Sequence, residues 1–123
     1  ERRMAVVKTF RDLIAWQKAM ALARQTYAIT AQMPRDERFG LTMQIRRAAI
    51  SIPSNIAEGY GRQSRPDYIR CLRIARGSLM ELSTQMELAS DLRMIVIPET
   101  LQDLLSETDR VLQGLIRGLL QKE

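Results

Sequence analysis

Apolar residues in this chain recur at steps of three and four, in four blocks that short polar segments separate. This spacing predicts amphipathic helices, because residues three and four apart share one face of a helix. The third block is the most regular, since its steps alternate strictly between four and three residues. Its apolar seam comprises Tyr68, Leu72, Ala75, Leu79, Leu82, Met86 and Ala89.

The other three blocks each carry one similar seam. The seam predicted for the first helix comprises Leu13, Trp16, Met20, Ala23, Tyr27 and Thr30. The seam predicted for the second helix comprises Leu41, Ile45, Ala48, Ile52, Ile56 and Gly59. The seam predicted for the fourth helix comprises Leu101, Leu105, Thr108, Leu112, Leu115 and Leu119. Each block therefore buries one face, which is the arrangement that a helical bundle needs.

Helix-capping residues lie near the start of the first three blocks. Thr9 and Asp12 resemble a capping box before the first helix. Asp36 is suited to begin the second helix, and the Gly-Tyr-Gly run at 59–61 is suited to end it. Ser64 is the expected N-cap of the third helix. The connections between blocks are short, so neighbouring helices are expected to run antiparallel.

Pro53 lies inside the second block and removes one backbone donor there, so we expect a kink in the second helix. The predicted fold is all-α: an antiparallel up-down-up-down four-helix bundle with a proline-kinked second helix. We expect residues 1–9 to form a loose N-terminal tail and residues 10–123 to form the bundle.

Several apolar residues fall outside these seams. We predict that five of them form a self-association interface: Ile14, Leu22, Ile29, Ile74 and Met80. Rows of exposed apolar residues are typical of interfaces. The alternative is that such residues only widen the stripe that faces the core, which is the explanation we favour for Leu104 and Val111.

Composition argues against most catalytic chemistry. The 123 residues include no histidine, which excludes imidazole ligands and histidine-dependent catalysis. Cys71 is the single cysteine and is interpreted as a structural thiol in a reducing, cytoplasmic protein. Glu58, Glu81 and Glu87 are the remaining candidates for a hard cation. We expect no bound metal, no cofactor and no enzymatic activity.

Three polar residues border the second seam, namely Gln44, Asn55 and Glu58. Buried polar groups need hydrogen-bond partners. We therefore expect these three side chains to form a structural polar network that fixes the register of the helices. A ligand-binding or catalytic role is the alternative.

The chain is basic, with 19 Lys and Arg against 14 Asp and Glu and a net charge of +5. Arginine suits planar anions such as phosphate. The arginines from which we predict a nucleic-acid-binding surface are Arg46, Arg47, Arg62, Arg65, Arg70 and Arg73. The alternative is a solvated face whose arginines pair with acidic residues of the fourth helix in another subunit.

Some segments resemble a known family. They are Phe10–Gln17, Leu41–Ala49, Ser51–Gly59, Gly61–Arg62 and Ile74–Leu82, of which the Ser-Ile-Pro-Ser-Asn-Ile-Ala-Glu-Gly run is the most specific. The chain resembles the four-helix-bundle proteins encoded in 23S rRNA intervening sequences. It is distantly similar to the accessory variability protein of diversity-generating retroelements. The resemblance implies an antiparallel bundle that closes into a homopentameric ring, a basic surface proposed to meet nucleic acid, and no established enzymatic activity.

The sequence thus predicts a non-enzymatic homo-oligomer, most simply a pentamer, that binds nucleic acid and in particular RNA. The alternative function is a protein-interaction scaffold whose arginine face docks an acidic protein partner. An enzyme is a third hypothesis, and it would need a pocket that contains perturbed carboxylates.

Overall fold

Four long helices make up the structure, a computed structural model that describes residues 6–122. They are α1 (Ile14–Thr30), α2 (Leu41–Gly61), α3 (Arg65–Asp91) and α4 (Glu99–Leu120). Residues 6–122 contain no β-strand, so the predicted all-α class is confirmed. Of the predicted tail at 1–9, residues 1–5 lie outside the described residues, and residues 6–9 are exposed and without helix or strand.

Each helix packs against two others around a common core. α1 contacts α2 and α4, and α3 contacts the same two helices, whereas α1 and α3 do not contact each other. Ser51 of α2 meets Ser78 of α3, and Gly59 further along α2 approaches Cys71 earlier in α3. α2 and α3 therefore run antiparallel, which is consistent with the predicted up-down-up-down order.

The helix starts differ in part from the prediction. The capping box of Thr9 and Asp12 is present, but it caps a short 3-10 turn, and α1 begins only at Ile14. Asp36 likewise lies in a 3-10 turn rather than at the start of α2. Instead Glu37 accepts a hydrogen bond from the backbone N–H of Leu41 at 3.1 Å. Ser64 caps α3 as predicted, because its hydroxyl accepts from the N–H of Asp67.

Every member of the predicted α3 seam is buried except the half-buried Tyr68, and α3 also buries Ile69 and Cys71. Of the seam predicted for the first helix, only Leu13 and Thr30 are buried. Leu22 is completely buried and Ile29 is 7% exposed, so both belong to the core. Their prediction as interface residues is wrong. Tyr27, which the prediction placed in the seam, is instead 40% exposed.

The reason lies in small and polar residues that α1 buries. Its core face includes Ala15 and Ala19, together with Thr26 and Thr30. Thr26 donates its hydroxyl to the carbonyl of Leu22 at 2.8 Å, and Thr30 donates to the carbonyl of Thr26 at 2.7 Å. A threonine that satisfies its hydroxyl within its own helix can be buried at little cost.

α2 contains both of the residues that were expected to interrupt it. Pro53 is buried inside the helix, and the kink expected there stays a prediction. Gly59 is also buried within the helix, at the contact with α3. A Cβ atom at Gly59 would lie 2.7 Å from the Cβ of Cys71. Gly59 therefore permits the close approach of α3, and the helix ends two residues later at Gly61.

None of the helices described within residues 6–122 is both long enough and apolar enough to cross a membrane.

Candidate functional site

Five of the six predicted binding arginines lie in two separate grooves. We call the first the α1–α2 groove; its volume is about 520 Å³. It is lined by Tyr27, Arg38, Thr42, Met43, Arg46, Arg47, Ile50 and Ser51. We call the second the α3–α4 groove; its volume is about 540 Å³. It is lined by Arg65, Pro66, Ile69, Arg70, Arg73, Ile74 and Leu120.

Arg46 is held against α1 at one wall of the α1–α2 groove. Its Nε donates to the hydroxyl of Thr30 at 2.8 Å, and its Nη2 donates to the carbonyl of Tyr27 at 3.3 Å. The guanidinium carbon lies 4.5 Å from the centre of the Tyr27 ring, which is within the range of cation–π attraction. These three contacts fix the orientation of the guanidinium and the ring relative to each other.

The rest of the α1–α2 groove is basic and apolar. Arg38 and Arg47 are exposed, and neither forms an ion pair with an acidic residue among residues 6–122. Met43 and Ile50 are exposed apolar residues in the same lining. Arg38 and Tyr27 were not among the predicted site residues, because only the packing of α1 and the turn after it against α2 brings them to Arg46.

The α3–α4 groove has similar charge but a different wall. Arg70 and Arg73 are exposed on α3 and have no ion-pair partner in the part of the chain that is described. Arg65 donates to the backbone carbonyl of Lys122 at 2.6 Å, which links the start of α3 to the end of the chain. The apolar lining residues are aliphatic, and Leu120 enters from α4. This groove therefore combines cations with aliphatic surface and has no aromatic side chain.

Arg62 lies outside both grooves and forms an ion pair. Its Nη2 lies 2.7 Å from Oε2 of Glu58, one helical turn earlier. The hydrogen bond and charge of Arg62 lower the pKa of Glu58, and Glu58 in turn raises the pKa of Arg62. Both side chains are exposed. The charge of Arg62 is thus partly neutralised, unlike that of Arg70 and Arg73.

The predicted polar network is correct only for Asn55. Its amide donates to the carbonyl of Ser51 at 2.8 Å and to the hydroxyl of Ser51 at 3.0 Å. The hydroxyl of Ser51 in turn meets that of Ser78 on α3 at 2.8 Å. Glu58 pairs with Arg62 instead, and Gln44 is exposed. Among the described residues, neither side chain forms a hydrogen bond with Asn55, Ser51 or Ser78, so they take no part in the network.

Two acidic residues of α4 pair within the chain. Asp109 accepts from Nε of Arg76 at 2.7 Å, and Glu107 accepts from Lys18 at 2.8 Å. The hydrogen bond from Lys18, and then its charge, lower the pKa of Glu107. These two carboxylates join α4 to α3 and to α1, and they are therefore already used inside the subunit. This leaves fewer acidic groups on α4 for the intersubunit pairing considered from sequence.

Three of the predicted interface residues are exposed. Ile14 on α1 is 55% exposed, and Ile74 and Met80 on α3 are 43% and 42% exposed. Leu88, also on α3, is 48% exposed. Ile74 also lines the α3–α4 groove. Of the predicted interface, one exposed apolar residue on α1 and two on α3 thus remain.

Within residues 6–122, no group of three or more Cys, Asp and Glu residues is placed to hold a metal ion. Glu58, one of the three cation candidates, is paired with Arg62. Cys71 is 1% exposed beside Gly59, which places the thiol in the helix packing.

Comparisons with known proteins agree with this fold. Residues 11–117 match the family model for the 23S rRNA-intervening sequence protein. The chain belongs to that family. The family match covers all four helices apart from the last three residues of α4. The resemblance inferred from the sequence is therefore confirmed.

A solved structure provides an independent comparison of the fold. It is the crystal structure of a protein of unknown function from the S23 ribosomal protein family of Bacteroides thetaiotaomicron. It superposes with a TM-score of 0.74 at 24% sequence identity, and the match covers 85% of this chain and 96% of that one. At this identity the likeness supports the fold alone. No curated protein matches the chain.

Proposed function

We propose that this member of the 23S rRNA-intervening sequence protein family is a non-enzymatic, cytoplasmic homo-oligomer that binds RNA through its arginine side chains. The observation that carries the proposal is the set of exposed arginines without acidic partners within residues 6–122, above all Arg47, Arg70 and Arg73. In a chain of net charge +5, these side chains favour a polyanion. Guanidinium groups also match the geometry of phosphate oxygens.

The placement of the exposed apolar residues supports self-association. Ile14 lies on α1, whereas Ile74 and Met80 lie on α3, and these two helices do not contact each other. Two different faces that meet between copies form a heterologous contact, which generates a ring when the rotation closes. We propose a pentamer, the assembly that the family resemblance implies. Five copies would carry +25 charges, five times the +5 of one chain, so weak contacts would add through avidity.

The α3–α4 groove favours a second candidate function. Its arginines surround Ile69, Ile74 and Leu120, and such an aliphatic surface offers nothing on which a nucleotide base would stack. An acidic protein segment with aliphatic side chains would match both properties of this groove. A scaffold that docks an acidic protein partner is therefore the alternative.

The proposal is tested by the salt dependence of binding to single-stranded RNA. The logarithm of the association constant is expected to fall linearly with the logarithm of salt concentration, with a slope near −0.7 for each phosphate neutralised. The double variant Arg70→Gln/Arg73→Gln should reduce the magnitude of this slope by about 1.4 for each subunit that contacts RNA.

A matched control removes equal charge elsewhere. Arg24 and Arg110 are exposed and line neither groove, so Arg24→Gln/Arg110→Gln should leave the slope nearly unchanged. Equal effects of the two double variants would mean that only net charge matters. Absence of binding to RNA at low ionic strength, with recovery of an acidic protein in native pull-downs, would reject the proposal in favour of the scaffold.

A further inference from the structure

The α1–α2 groove and the α3–α4 groove carry similar charge but differ in one respect: only the first contains an aromatic ring. We propose that the α1–α2 groove seats one unstacked nucleotide of a single strand, with its base against the Tyr27–Arg46 pair and its phosphates on Arg38 and Arg47. This inference rests on the proposed nucleic-acid binding and specifies which form of nucleic acid the groove selects.

The Tyr27–Arg46 pair is a preformed stacking platform: the guanidinium of Arg46 stands over the Tyr27 ring, and a base would extend this stack. The two hydrogen bonds of Arg46 to α1 and its contact with the Tyr27 ring hold the guanidinium in place without any ligand. Bases of unpaired nucleotides stack on tyrosine rings and on guanidinium planes. A platform that is fixed beforehand loses less side-chain freedom when a base binds, and this favours affinity.

The dimensions and the remaining lining of the groove fit a nucleotide. Its volume of about 520 Å³ lies within the range of about 300–1,000 Å³ that is typical of small-molecule sites. Met43 and Ile50 provide apolar surface beside the platform. Thr42 also lines the groove, and its buried hydroxyl has no hydrogen-bond partner among the described residues. A polar group of the ligand would provide one after rotation of the side chain.

The positive charge of the α1–α2 groove is suited to bind the phosphates of the nucleotide. Arg38 and Arg47 are exposed and free of ion pairs within residues 6–122, and none of the lining residues is acidic. A duplex keeps its bases stacked and paired inside, so it can offer phosphates to these arginines but no base to Tyr27. The groove should therefore prefer a single strand over a duplex of equal length.

The test compares oligouridine with an RNA duplex of the same length. Replacing the ring by Tyr27→Leu should lower the affinity for oligouridine by about tenfold, the effect typical of one lost base-stacking contact. The same variant should leave unchanged the salt slope of oligouridine binding and the affinity for the duplex. Tyr27→Phe keeps the ring and should bind oligouridine like the unaltered protein. Arg47→Gln should instead reduce the magnitude of the slope by about 0.7.

Phe39 supplies the matched control. It is 75% exposed and Arg38 lies 4.9 Å from its ring centre, but it does not line the groove. Phe39→Leu should leave oligouridine affinity within about twofold of the unaltered protein, whereas a loss equal to that of Tyr27→Leu would overturn the inference. If Tyr27→Leu does not fold, Tyr27→Met takes its place, because it also removes the ring and should lower the affinity for oligouridine by the same factor.

The outcomes separate this inference from the function on which it rests. Salt-dependent binding that Tyr27→Leu does not weaken would overturn the nucleotide site and leave RNA binding intact. Absence of binding to either RNA would reject both. A different result would be that a polyglutamate peptide displaces oligouridine and binds Tyr27→Leu as well as it binds the unaltered protein. That result would assign the groove to an acidic protein and overturn the inference.

Discussion

Substitution of Gly59 by alanine tests whether close packing of α2 on α3 holds this bundle together. An added Cβ would lie 2.7 Å from the Cβ of Cys71 and 3.1 Å from Cδ1 of Tyr68. Ordinary contact begins near 3.4 Å, so the helices must separate by up to about 0.7 Å locally. Overpacking of this kind costs about 1–3 kcal/mol, while alanine gains about 1 kcal/mol over glycine inside a helix. We expect a net loss of stability of up to about 2 kcal/mol.

Urea unfolding of Gly59→Ala provides the measurement, and Gly118→Ala provides the control. Gly118 lies in α4 with nothing within 4 Å of the added Cβ, so alanine there should stabilise the protein by about 0.5–1 kcal/mol. In the double variant Gly59→Ala/Cys71→Gly the nearest contact disappears. The two changes should therefore couple favourably, by at least about 0.5 kcal/mol. If Gly59→Ala stabilises the protein as Gly118→Ala does, the close helix contact is refuted.

Three further predictions concern a core position, an exposed position of the proposed interface and a tyrosine. Leu22→Ala should cost about 2–5 kcal/mol of unfolding free energy at every protein concentration, because Leu22 is fully buried within the subunit. Ile14→Ala should instead lower the mass of the assembly measured by sedimentation, because Ile14 is exposed and belongs to the proposed interface. Burial raises the pKa of Tyr68 to about 12, with a smaller contribution from Tyr60. The folded state then holds this proton more tightly, so the stability that Tyr68 contributes below pH 10.0 is lost as the pH rises towards 12. Tyr68→Phe should remove this alkaline loss from the unfolding curves.

Much of the fold follows from spacing, because α2, α3 and α4 each offer one face that is clearly more apolar than the rest. α1 does not. Trp16 and Met20 form an apolar row as pronounced as that of Leu22 and Ile29, and threonines with internally satisfied hydroxyls complete the buried face. Periodicity cannot choose between two such rows. Only contact with α2 and α4 decides which one faces the core.

The position of Gly59 in the second seam indicates close helix packing, a meaning that we missed when we interpreted Gly59 as part of the helix end. Gly59 stands in register with Ile52 and Ile56, both of which are buried. A glycine at a core-facing helical position indicates close approach of a neighbouring backbone, and such a position is distinct from an exposed helix end. The actual end of α2 involves Gln63, which adopts a positive φ of 59° without being a glycine.

The sequence predicts which residues belong to the candidate site, but it does not predict the contacts that these residues make. The sequence shows which arginines are present, yet it does not show that Arg46 reaches across to Thr30 or that Arg62 pairs with Glu58. The first contact spans 16 residues and depends on how α1 packs against α2. The second was visible as an i, i+4 pair, since opposite charges at that spacing attract each other on a helix.

We propose above all that copies of this chain assemble through apolar faces and present to RNA arginines that have no acidic partner within residues 6–122. Light scattering with absolute mass determination, with and without a short single-stranded RNA at low salt, tests it most directly. We expect a particle of about 70 kDa, five times the 14.1 kDa chain, whose mass rises on addition of RNA and returns to the protein value at high salt. A 14.1 kDa particle that RNA leaves unchanged would contradict it.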